Sequence, residues 1–550
     1  MSLFGHSPAI VFCYSVIEIC RTRFVVSTFL PACCGELATL SQHKIVPGEL
    51  RMKFQLRKEF ATIAFLAVFL VSIPSFAQQQ NAASPRYRLI DLGTFGGPNS
   101  SETLEFPYIN NQGTVVGFAD TSTPDPFNPG SFIPHAFRWQ AGVLTDLGTL
   151  PDGIGSFAIW SNDRGQVVGL SGNGQIDPQL GVPEGIAVLW GKNGEIVKLG
   201  TLGGNQSLAG AINSRGQVVG VAANTTLDPF SMFGWATQTR AFLWQKGIMQ
   251  DLGTLGGPDA GVSGINERGQ VAGVSYIDSN PILNCDLLNN VPIVTTHPFF
   301  WQNGKMVDIG TLGGSCAGVA TINNRGQVAG SSNLAGDETE HPFLWERGKL
   351  RDLGTLGGTA GLANWLNDAG EVTGVATTPG DEEAHAFFWK NGVMTDLGTI
   401  KDDACSIAHF MNSKGQVVGT SGCTEEGFEV HGFVWSQGGS IIDLNDFVPP
   451  GSDLRVTDGE TINDRGEIAG SGLLPNGDFH AIVLIPCDDE PDSEGCRGTG
   501  QNANATSSGP APLLRGSAAQ SNLSPTKIVT ALGARFAHRY HIPSRGTPRN

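Results

Sequence analysis

Histidine is the residue type in this chain whose spacing first suggests chemistry, because an imidazole can bind a metal ion or transfer a proton near neutral pH. Six of the eleven histidines open the same short apolar segment in successive copies of a repeat. They are His135, His297, His341, His385, His431 and His480. With one histidine per repeat, on a strand away from the common axis, they would lie too far apart to share an ion. We therefore expect each to form a hydrogen bond within its own repeat, to the Asp of an Asp-Leu-Gly segment.

A second group of residues could bind a ligand through aromatic rings. The motif Asp-Pro recurs in three long loops, at Asp125, Asp177 and Asp228, and aromatic residues lie close to it. The candidate ligand-binding residues are Phe127, Phe132, Phe230, Phe233 and Trp235. Such rings could stack on sugars or grip a peptide. The alternative is that each long loop needs a small apolar core of its own.

A third group is acidic and could bind calcium, because hard cations take clustered carboxylates. The candidates are Asp337, Glu338, Asp381, Glu382, Glu383, Asp402 and Asp403. They fall in loops that we expect on one face of neighbouring repeats. A solvated acidic rim without a metal is the other interpretation. The sequence predicts no cofactor apart from this calcium hypothesis.

Recognised catalytic motifs are missing from the sequence. There is no Gly-x-Ser-x-Gly, no His-Glu-x-x-His and no EF-hand loop. The recurrent Asp-Leu-Gly-Thr-Leu-Gly-Gly is glycine-rich, but no Lys-Ser/Thr follows it as a phosphate-binding loop requires. We interpret it as a connector between repeats, and we assign no catalytic residue. The net charge of −17 disfavours nucleic acids and anionic membranes as partners.

The elements that position these residues are predicted by a repeat that occurs eight times. Each copy has Asn, then Gly three residues later and a second Gly seven residues later. The eight asparagines are Asn110, Asn162, Asn213, Asn266, Asn323, Asn367, Asn412 and Asn463. A spacing of 44 to 57 residues between short apolar runs is typical of a propeller or a solenoid.

Each repeat divides into four short strands, A to D. Asn-x-x-Gly is a tight turn between strands A and B. The second Gly lies inside strand B, which indicates that another group packs closely on that backbone. We expect this group to be the Trp that ends strand C in seven repeats, at Trp139, Trp190, Trp244, Trp301, Trp345, Trp389 and Trp435.

The two ends of the repeated region favour a closed ring over an open solenoid. The region opens with a lone strand D at Tyr87–Gly93 and closes with an eighth repeat that lacks strand D, ending at Leu484. The N-terminal strand would complete that repeat and remove the open edge. We predict an all-β protein, a single eight-bladed β-propeller of four-stranded antiparallel blades over residues 84–486.

The predicted B–C loops differ in length around the ring. From the second Gly to the start of strand C they take 17 to 24 residues in repeats 1 to 4 and 10 to 12 in repeats 5 to 8. Variable loops on a rigid scaffold are where function usually lies. Strand A would line the axis, and its largely Ala, Gly, Ser, Thr and Ile content suggests little acid–base capacity.

The motifs together resemble a known family. The combination of His-Ala-Phe-x-Trp, Asp-Leu-Gly-Thr-Leu-Gly-Gly and Ile-Asn-x-x-Gly-Gln-Val-Val-Gly is similar to that of the HAF-repeat family of probable extracellular repeat proteins. The resemblance covers about residues 87–485. Local departures are Lys198 in place of the strand D Asp, and Ile186 and Arg240 in place of the His. The resemblance implies an exported location and no established reaction.

Outside the ring, the sequence predicts segments of other kinds. Residues 52–77 have the basic start, apolar core and small residues at Ser75 and Ala77 of a signal peptide. We interpret residues 1–51 as an upstream extension outside the true start at Met52, and a genuine extension is the alternative. Residues 487–525 form a linker rich in Gly, Ser, Pro and acids. Residues 526–550 form a basic tail compatible with a short helix.

These features place the chain outside the cytoplasm, extracellular or periplasmic, with no membrane span after signal removal. Six cysteines follow the signal, and an even number suggests disulfides in an exported protein. The candidate pairs are Cys285–Cys316, Cys405–Cys423 and Cys487–Cys496. We predict a non-catalytic binding or scaffold module that uses the B–C loop face for a glycan or a protein partner. A polysaccharide lyase or hydrolase on the same face is the alternative.

Overall fold

The computed structural model of this chain describes residues 87–100, 108–282, 293–401, 403–422, 430–449 and 451–487. They form eight four-stranded antiparallel sheets, so the predicted eight-bladed propeller is confirmed. One short 3₁₀ helix, Leu444–Phe447, is the helical element in these ranges. None of the described helical residues forms a segment long and apolar enough to cross a membrane.

The first four blades are built from strands β2 to β17. Blade 1 contains β2 (Tyr108–Ile109), β3 (Val115–Pro124), β4 (Phe132–Gln140) and β5 (Val143–Asp146). Blade 2 contains β6 (Ser156–Ser161), β7 (Val167–Ile176), β8 (Pro183–Trp190) and β9 (Ile196–Gly200). Blade 3 contains β10 (Ser207–Ile212), β11 (Val218–Leu227), β12 (Thr237–Gln245) and β13 (Ile248–Asp251). Blade 4 contains β14 (Ala260–Ile265), β15 (Val271–Ile282), β16 (Ile293–Gln302) and β17 (Lys305–Asp308).

The remaining blades are built from β18 to β32 together with β1. Blade 5 contains β18 (Gly313–Ile322), β19 (Val328–Leu334), β20 (Glu340–Glu346) and β21 (Lys349–Asp352). Blade 6 contains β22 (Gly361–Leu366), β23 (Val372–Thr377), β24 (Ala384–Lys390) and β25 (Val393–Asp396). Blade 7 contains β26 (Ser406–Met411), β27 (Val417–Ser421), β28 (His431–Trp435) and β29 (Ile442–Asp443). Blade 8 contains β30 (Arg455–Ile462), β31 (Ile468–Leu473), β32 (Phe479–Pro486) and β1 (Tyr87–Asp91).

The ring is closed by the N-terminal strand, as the sequence predicts. β1 pairs antiparallel with β32, from Tyr87 opposite Pro486 to Asp91 opposite Ile482. The first strand of the ring therefore supplies the outer strand of the last blade. This arrangement covers the edge of β32 that would otherwise be open.

Successive blades are held together by apolar side chains between their faces. At the closing interface, Phe137 and Trp139 of blade 1 belong to one buried cluster with Ala469, Ala481 and Val483 of blade 8. Neighbouring pairs of blades around the ring share similar clusters. The hydrophobic core is therefore a series of layers between blades.

The strand B glycines pack against a different partner from the one predicted. A Cβ atom at Gly220 would lie 2.0 Å from the carbonyl oxygen of Leu208 on strand A and 2.8 Å from the ring of Phe242 on strand C. Trp244 instead pairs with Val218, two residues away. The expectation that Trp is the partner is wrong, because the residue two positions before it lies opposite the glycine, and this residue is Phe in six blades and Val188 in blade 2.

The histidines of strand C bind the aspartates of strand D, as the sequence predicts, in five blades. The Nδ1 atom lies 2.8 to 3.0 Å from a carboxylate oxygen in the pairs His135–Asp146, His297–Asp308, His341–Asp352, His385–Asp396 and His480–Asp91. Arg240, which replaces the histidine in blade 3, faces Asp251 at 3.8 Å. Blade 2 replaces both members, with Ile186 and Lys198.

Blade 7 departs from this pattern. His431 lies 3.3 Å from Asp403 in the connector that enters the blade. The expected partner, Asp443, instead accepts a hydrogen bond from the backbone of Asn445 at the start of the 3₁₀ helix. The histidine expectation therefore fails in this blade, because its outer strand ends early and turns into the helix.

Candidate functional site

The repeated asparagine shapes the A–B turn of each blade. In blade 5, the side-chain oxygen of Asn323 accepts hydrogen bonds from the backbone N–H groups of Arg325 and Gln327, each at 3.0 Å. The turn glycine, Gly326, has a φ of +79°, which is readily adopted only without a side chain. The Asn-x-x-Gly turn predicted from the sequence is therefore fixed by both of its defining residues.

The same asparagines also connect neighbouring blades. Each side-chain N–H₂ donates to the backbone carbonyl of the asparagine in the next blade, at 2.9 to 3.3 Å. The series closes where Asn463 donates to the carbonyl of Asn110 at 3.0 Å. Eight hydrogen bonds thus form a ring, the asparagine ring, that brings the eight turns together around the axis.

A cavity of about 310 Å³ opens at the centre of this ring. Its lining includes four aromatic residues, each two positions before an asparagine of the ring: Tyr108, Trp160, Trp365 and Phe410. Tyr108 stacks on Trp160 with a centroid distance of 3.7 Å, and Trp365 stacks on Phe410 at 3.9 Å. The two tryptophans lie 6.1 Å apart. All four remain partly exposed, so they form an aromatic floor.

The rim of the cavity consists of the residues that follow each asparagine. In blade order they are Asn111, Asp163, Ser214, Glu267, Asn324, Asp368, Ser413 and Asp464. Neutral and acidic residues therefore alternate around the rim. Several neighbours are hydrogen-bonded, as when Asn324 donates its backbone and side-chain N–H groups to Asp368 at 2.8 and 2.9 Å.

The rim and floor together are negatively charged. The lining carries four carboxylates and no Lys, Arg or His among the described residues. Arginines do occur one position further along several turns, but the guanidinium groups of four of them lie against the turn glycine of the next blade: Arg215, Arg268, Arg325 and Arg465. Burial and the charges of Glu267 and Asp464 raise the pKa of Asp163, against a hydrogen bond from the Asn111 backbone. Burial and neighbouring carboxylates also raise the pKa of Tyr108.

Sequence reasoning missed this site. Its signal was present, because the position two residues before the repeated Asn holds Tyr, Trp, Trp and Phe in blades 1, 2, 6 and 7 and small residues in the others. The alternation of acidic and neutral residues after the Asn was a second signal. Both patterns lie at positions that vary between repeats, next to the invariant Asn and Gly residues.

Titratable side chains also come together on the inner strands of blades 7 and 8. His409 Nδ1 lies 3.1 Å from Asp458 Oδ1 and 3.3 Å from Glu460 Oε2. The side chains of His409 and Glu460 are each only 4% exposed. The expectation that strand A offers little acid–base capacity is therefore wrong for these two blades.

The charges of this cluster act on one another strongly. Burial opposes the charged form of His409, but Asp458 and Glu460 outweigh it and raise the pKa of the imidazole to about 10. Burial and the neighbouring Asp458 raise the pKa of Glu460 well above its usual value. Asp458 is also buried, but His409 lowers its pKa. Shifted groups of this kind occur at functional sites and in structural ion pairs alike.

The loop-face aromatics divide into two groups. Phe127 and Phe230 are 36% and 37% exposed. Each follows a buried aspartate whose side chain accepts the backbone N–H of the phenylalanine, Asp125 and Asp228 respectively.

The other loop aromatics are less accessible. Phe132 is partly buried at the start of β4. Phe233 and Trp235 are 5% exposed and belong to a core cluster between loop and blade. They cannot stack on a ligand in this conformation, because they form the apolar core that the long loop needs. The predicted ligand role for these two residues is therefore corrected.

Most of the acidic calcium candidates either accept hydrogen bonds from nearby residues or face solvent. Asp337 accepts hydrogen bonds from the backbone and hydroxyl of Ser315, and Asp381 binds Thr359 in the same way. Glu338, Glu382 and Glu383 are solvent-facing, with Glu383 3.3 Å from His385. Asp403 contacts Ser421 and His431, and Asp402 lies outside the described residues. Among the described residues, His409, Asp458 and Glu460 are the group of three whose ligand atoms lie close enough together to hold one metal ion. Calcium binding by the loop carboxylates stays a prediction.

Of the candidate disulfide cysteines, three lie among the described residues. Cys316, Cys405 and Cys487 are each disulfide-bonded. The cysteines predicted to pair with them, Cys285, Cys423 and Cys496, lie outside the described residues. The three pairings therefore stay predictions, as do the signal peptide, the linker and the basic tail.

Comparison with known proteins identifies no family for this chain and finds distant structural similarities. No protein-family model and no curated protein matches the sequence. Among solved structures, the chain is similar to the β-propeller domain of the Trilobed protease from Pyrococcus furiosus, with 10% identity, a TM-score of 0.36, and 62% of this chain and 99% of that chain covered. It is also similar to dipeptidyl peptidase 4 from Porphyromonas gingivalis, with 10% identity, a TM-score of 0.41, and 67% and 57% covered. The resemblance to the HAF-repeat family stays a prediction.

Proposed function

We propose that this protein is an exported, non-catalytic binding module whose ligand places a cationic organic group in the cavity at the centre of the asparagine ring, called the channel end below. The observation that carries the proposal is the aromatic floor beneath four carboxylates, with no basic side chain in the described lining. The channel end supports this role better than the B–C loop face, where two of the predicted aromatic contacts are buried.

The physical basis is the sum of two attractions. An ammonium or guanidinium over the face of Trp or Tyr gains about 0.5 to 2 kcal/mol, depending on how far it is desolvated. The rim carboxylates add a negative potential that a concave mouth concentrates. A cavity of about 310 Å³ lies at the small end of ligand pockets. It therefore suits a small molecule or a single basic side chain of a peptide.

The test measures binding of choline and agmatine to the purified protein by calorimetry, with glucose as a neutral probe and an arginine-containing peptide as a second source of the cation. We expect saturable binding of the cations that weakens as salt is raised. Asp368→Asn and Trp365→Ala should each weaken it at least about tenfold, equivalent to 1.4 kcal/mol. Glu382→Gln, on the opposite face, should leave it unchanged.

Several outcomes would contradict the proposal. Absence of cation binding would do so, as would affinities that ignore Asp368→Asn and Trp365→Ala. Glucose binding as tightly as choline would show that the floor accepts sugars and that charge is irrelevant. Circular dichroism of each variant establishes that a loss of binding is not a loss of folding.

A glycan site on the B–C loop face is a second candidate, favoured by the exposed rings of Phe127 and Phe230. Incubation with polysaccharides and cell-envelope fractions should then show retention that a Phe127→Ala, Phe230→Ala double variant loses. Retention unchanged in that variant would contradict this candidate. Release of soluble sugar would instead favour the lyase or hydrolase alternative. The carboxylates in the short loops of blades 5 to 8 would then be the candidate catalytic groups.

A further inference from the structure

We infer that His409, Asp458 and Glu460 form a buried binding site for a divalent transition-metal ion, best suited to zinc, between the inner strands of blades 7 and 8. The site is separate from the cavity at the channel end, since none of the three residues lines that cavity. It would join two blades through the ion in addition to their apolar contact.

A backbone irregularity explains why these side chains meet. The pairing of strands A and B shifts register between Ala408 and Phe410 in blade 7, and between Gly459 and Thr461 in blade 8. His409 and Glu460 are therefore the extra residues of two equivalent β-bulges, and a bulge redirects its side chain. In blades 4 and 6 the bulge residues Ser263 and Asn364 reach carbonyl groups of the next inner strand. His409 reaches the next inner strand in the same way and meets Asp458 there.

The distances suit a metal ion. Zinc lies about 2.0 to 2.2 Å from imidazole nitrogen and carboxylate oxygen, which places neighbouring ligand atoms roughly 3 to 3.5 Å apart. The observed separations from His409 Nδ1 are 3.1 Å to Asp458 and 3.3 Å to Glu460, and one ligand atom from each residue lies within 4.8 Å of the others. One nitrogen and two oxygens leave a fourth position, as in catalytic zinc sites.

A second observation also indicates a ligand. Glu460 Oε1 is buried and has no hydrogen-bond partner among the described residues. Asn364 Oδ1, at the bulge position of the preceding blade, is likewise buried without such a partner. Buried carboxylate and amide oxygens are normally paired, and a cation beside Glu460 would satisfy the oxygen that the protein leaves unpaired.

Charge and orientation support the same conclusion. Two carboxylates, a neutral imidazole and a divalent ion sum to zero, which is the least costly charge for a buried site. The Thr420 hydroxyl donates to Asp458 Oδ1 at 2.6 Å, and a hydrogen bond of this kind fixes the orientation of a ligating carboxylate. The nitrogen and oxygen donors favour zinc or manganese over the oxygen-only sites of calcium and magnesium.

The test uses the full exported chain, freed of metal by a chelator that is then removed. Zinc is titrated by calorimetry, bound metal is counted by mass spectrometry, and the zinc absorption edge reports the ligand atoms. We expect one zinc ion per chain, a ligand shell of nitrogen and oxygen without sulfur, and a rise in Tm of several degrees. Glu460→Gln and Asp458→Asn, which keep the side-chain shape, should lower the zinc affinity at least 100-fold.

His431→Gln is the matched control, because His431 also lies in blade 7 beside an aspartate but outside the cluster. It should bind zinc as the unmodified protein does. The inference is overturned if zinc does not bind at micromolar concentration, if the two cluster variants bind it unchanged, or if the absorption edge shows sulfur ligands. Melting curves of the metal-free variants show whether each one folds, so that a loss of affinity can be assigned to the ligands.

Discussion

Replacing one asparagine of the ring should measure how strongly the turns hold the blades together. Asn323 is 4% exposed. Its side chain accepts two backbone N–H groups and donates to Gln327 at 2.7 Å and to the Asn367 carbonyl at 2.9 Å. At about 1 kcal/mol per bond, with incomplete additivity, Asn323→Ala should cost about 3 kcal/mol of unfolding free energy.

The assay is the change in Tm measured by calorimetry. An unfolding entropy of about 2 cal/mol/K per residue gives roughly 0.8 kcal/mol per degree for a ring of about 400 residues, so the expected fall in Tm is about 4 °C. Asn324→Ala is the control, because its hydrogen bonds are exposed and water can replace them, and it should lower Tm by less than about 1 °C. Equal effects of the two variants would refute the view that the buried ring contributes the stability.

Gly330→Ala should prevent soluble folding, since its Cβ would lie 2.0 Å from a strand A carbonyl oxygen. Gly318→Ala should be tolerated, because a Cβ there meets nothing within 4 Å. Similar yields of soluble protein from the two variants would contradict this prediction. The pKa of His385 and His480 is raised by hydrogen bonds to aspartates whose own pKa is lowered. Their contribution to stability is therefore greatest between about pH 4 and 6.5 and is lost as pH rises through the raised histidine pKa values or falls through the lowered aspartate values. A His385→Gln, His480→Gln double variant should flatten the Tm–pH curve above pH 6, and an unchanged slope would disagree. A variant that lacks all residues up to the end of β1 should have a lower Tm and should associate, as measured by size-exclusion chromatography. A variant that lacks residues 1–83 and keeps β1 should show neither effect. A stable monomer without β1 would count against closure of the ring by this strand. If the loop carboxylates bind calcium, millimolar calcium should raise Tm by several degrees, and an unchanged Tm would contradict the calcium hypothesis.

The architecture could be predicted because local and global signals agree in this sequence. Three sequence features predict the same closed ring. They are the repeated Asn-x-x-Gly turn, the four short apolar segments of each repeat and the opening strand that has no partner in its own repeat. The His–Asp pairing also followed, since strands C and D of one hairpin bring His341 beside Asp352. These features depend on residues that are close in sequence or strictly repeated.

The candidate sites could not be predicted in the same way, because they depend on single residues that depart from the repeat. Trp365 becomes part of an aromatic floor only when non-adjacent blades meet at the axis. His409 and Glu460 reach one cluster only because a one-residue bulge turns each side chain, and a bulge leaves no distinct mark in the sequence. The sequence predicts that Trp235 is accessible, but the loop folds back and buries it.

The alternating rim restricts how this protein can change its size during evolution. Its order is Asn, Asp, Ser, Glu in blades 1 to 4 and Asn, Asp, Ser, Asp in blades 5 to 8, so each half of the chain nearly repeats the other. Alternation around a closed ring requires an even number of members. Loss or gain of one blade would set two carboxylates, or two neutral residues, side by side, whereas loss or gain of an adjacent pair would keep the order. The unit of inheritance that preserves the channel end is therefore a pair of blades.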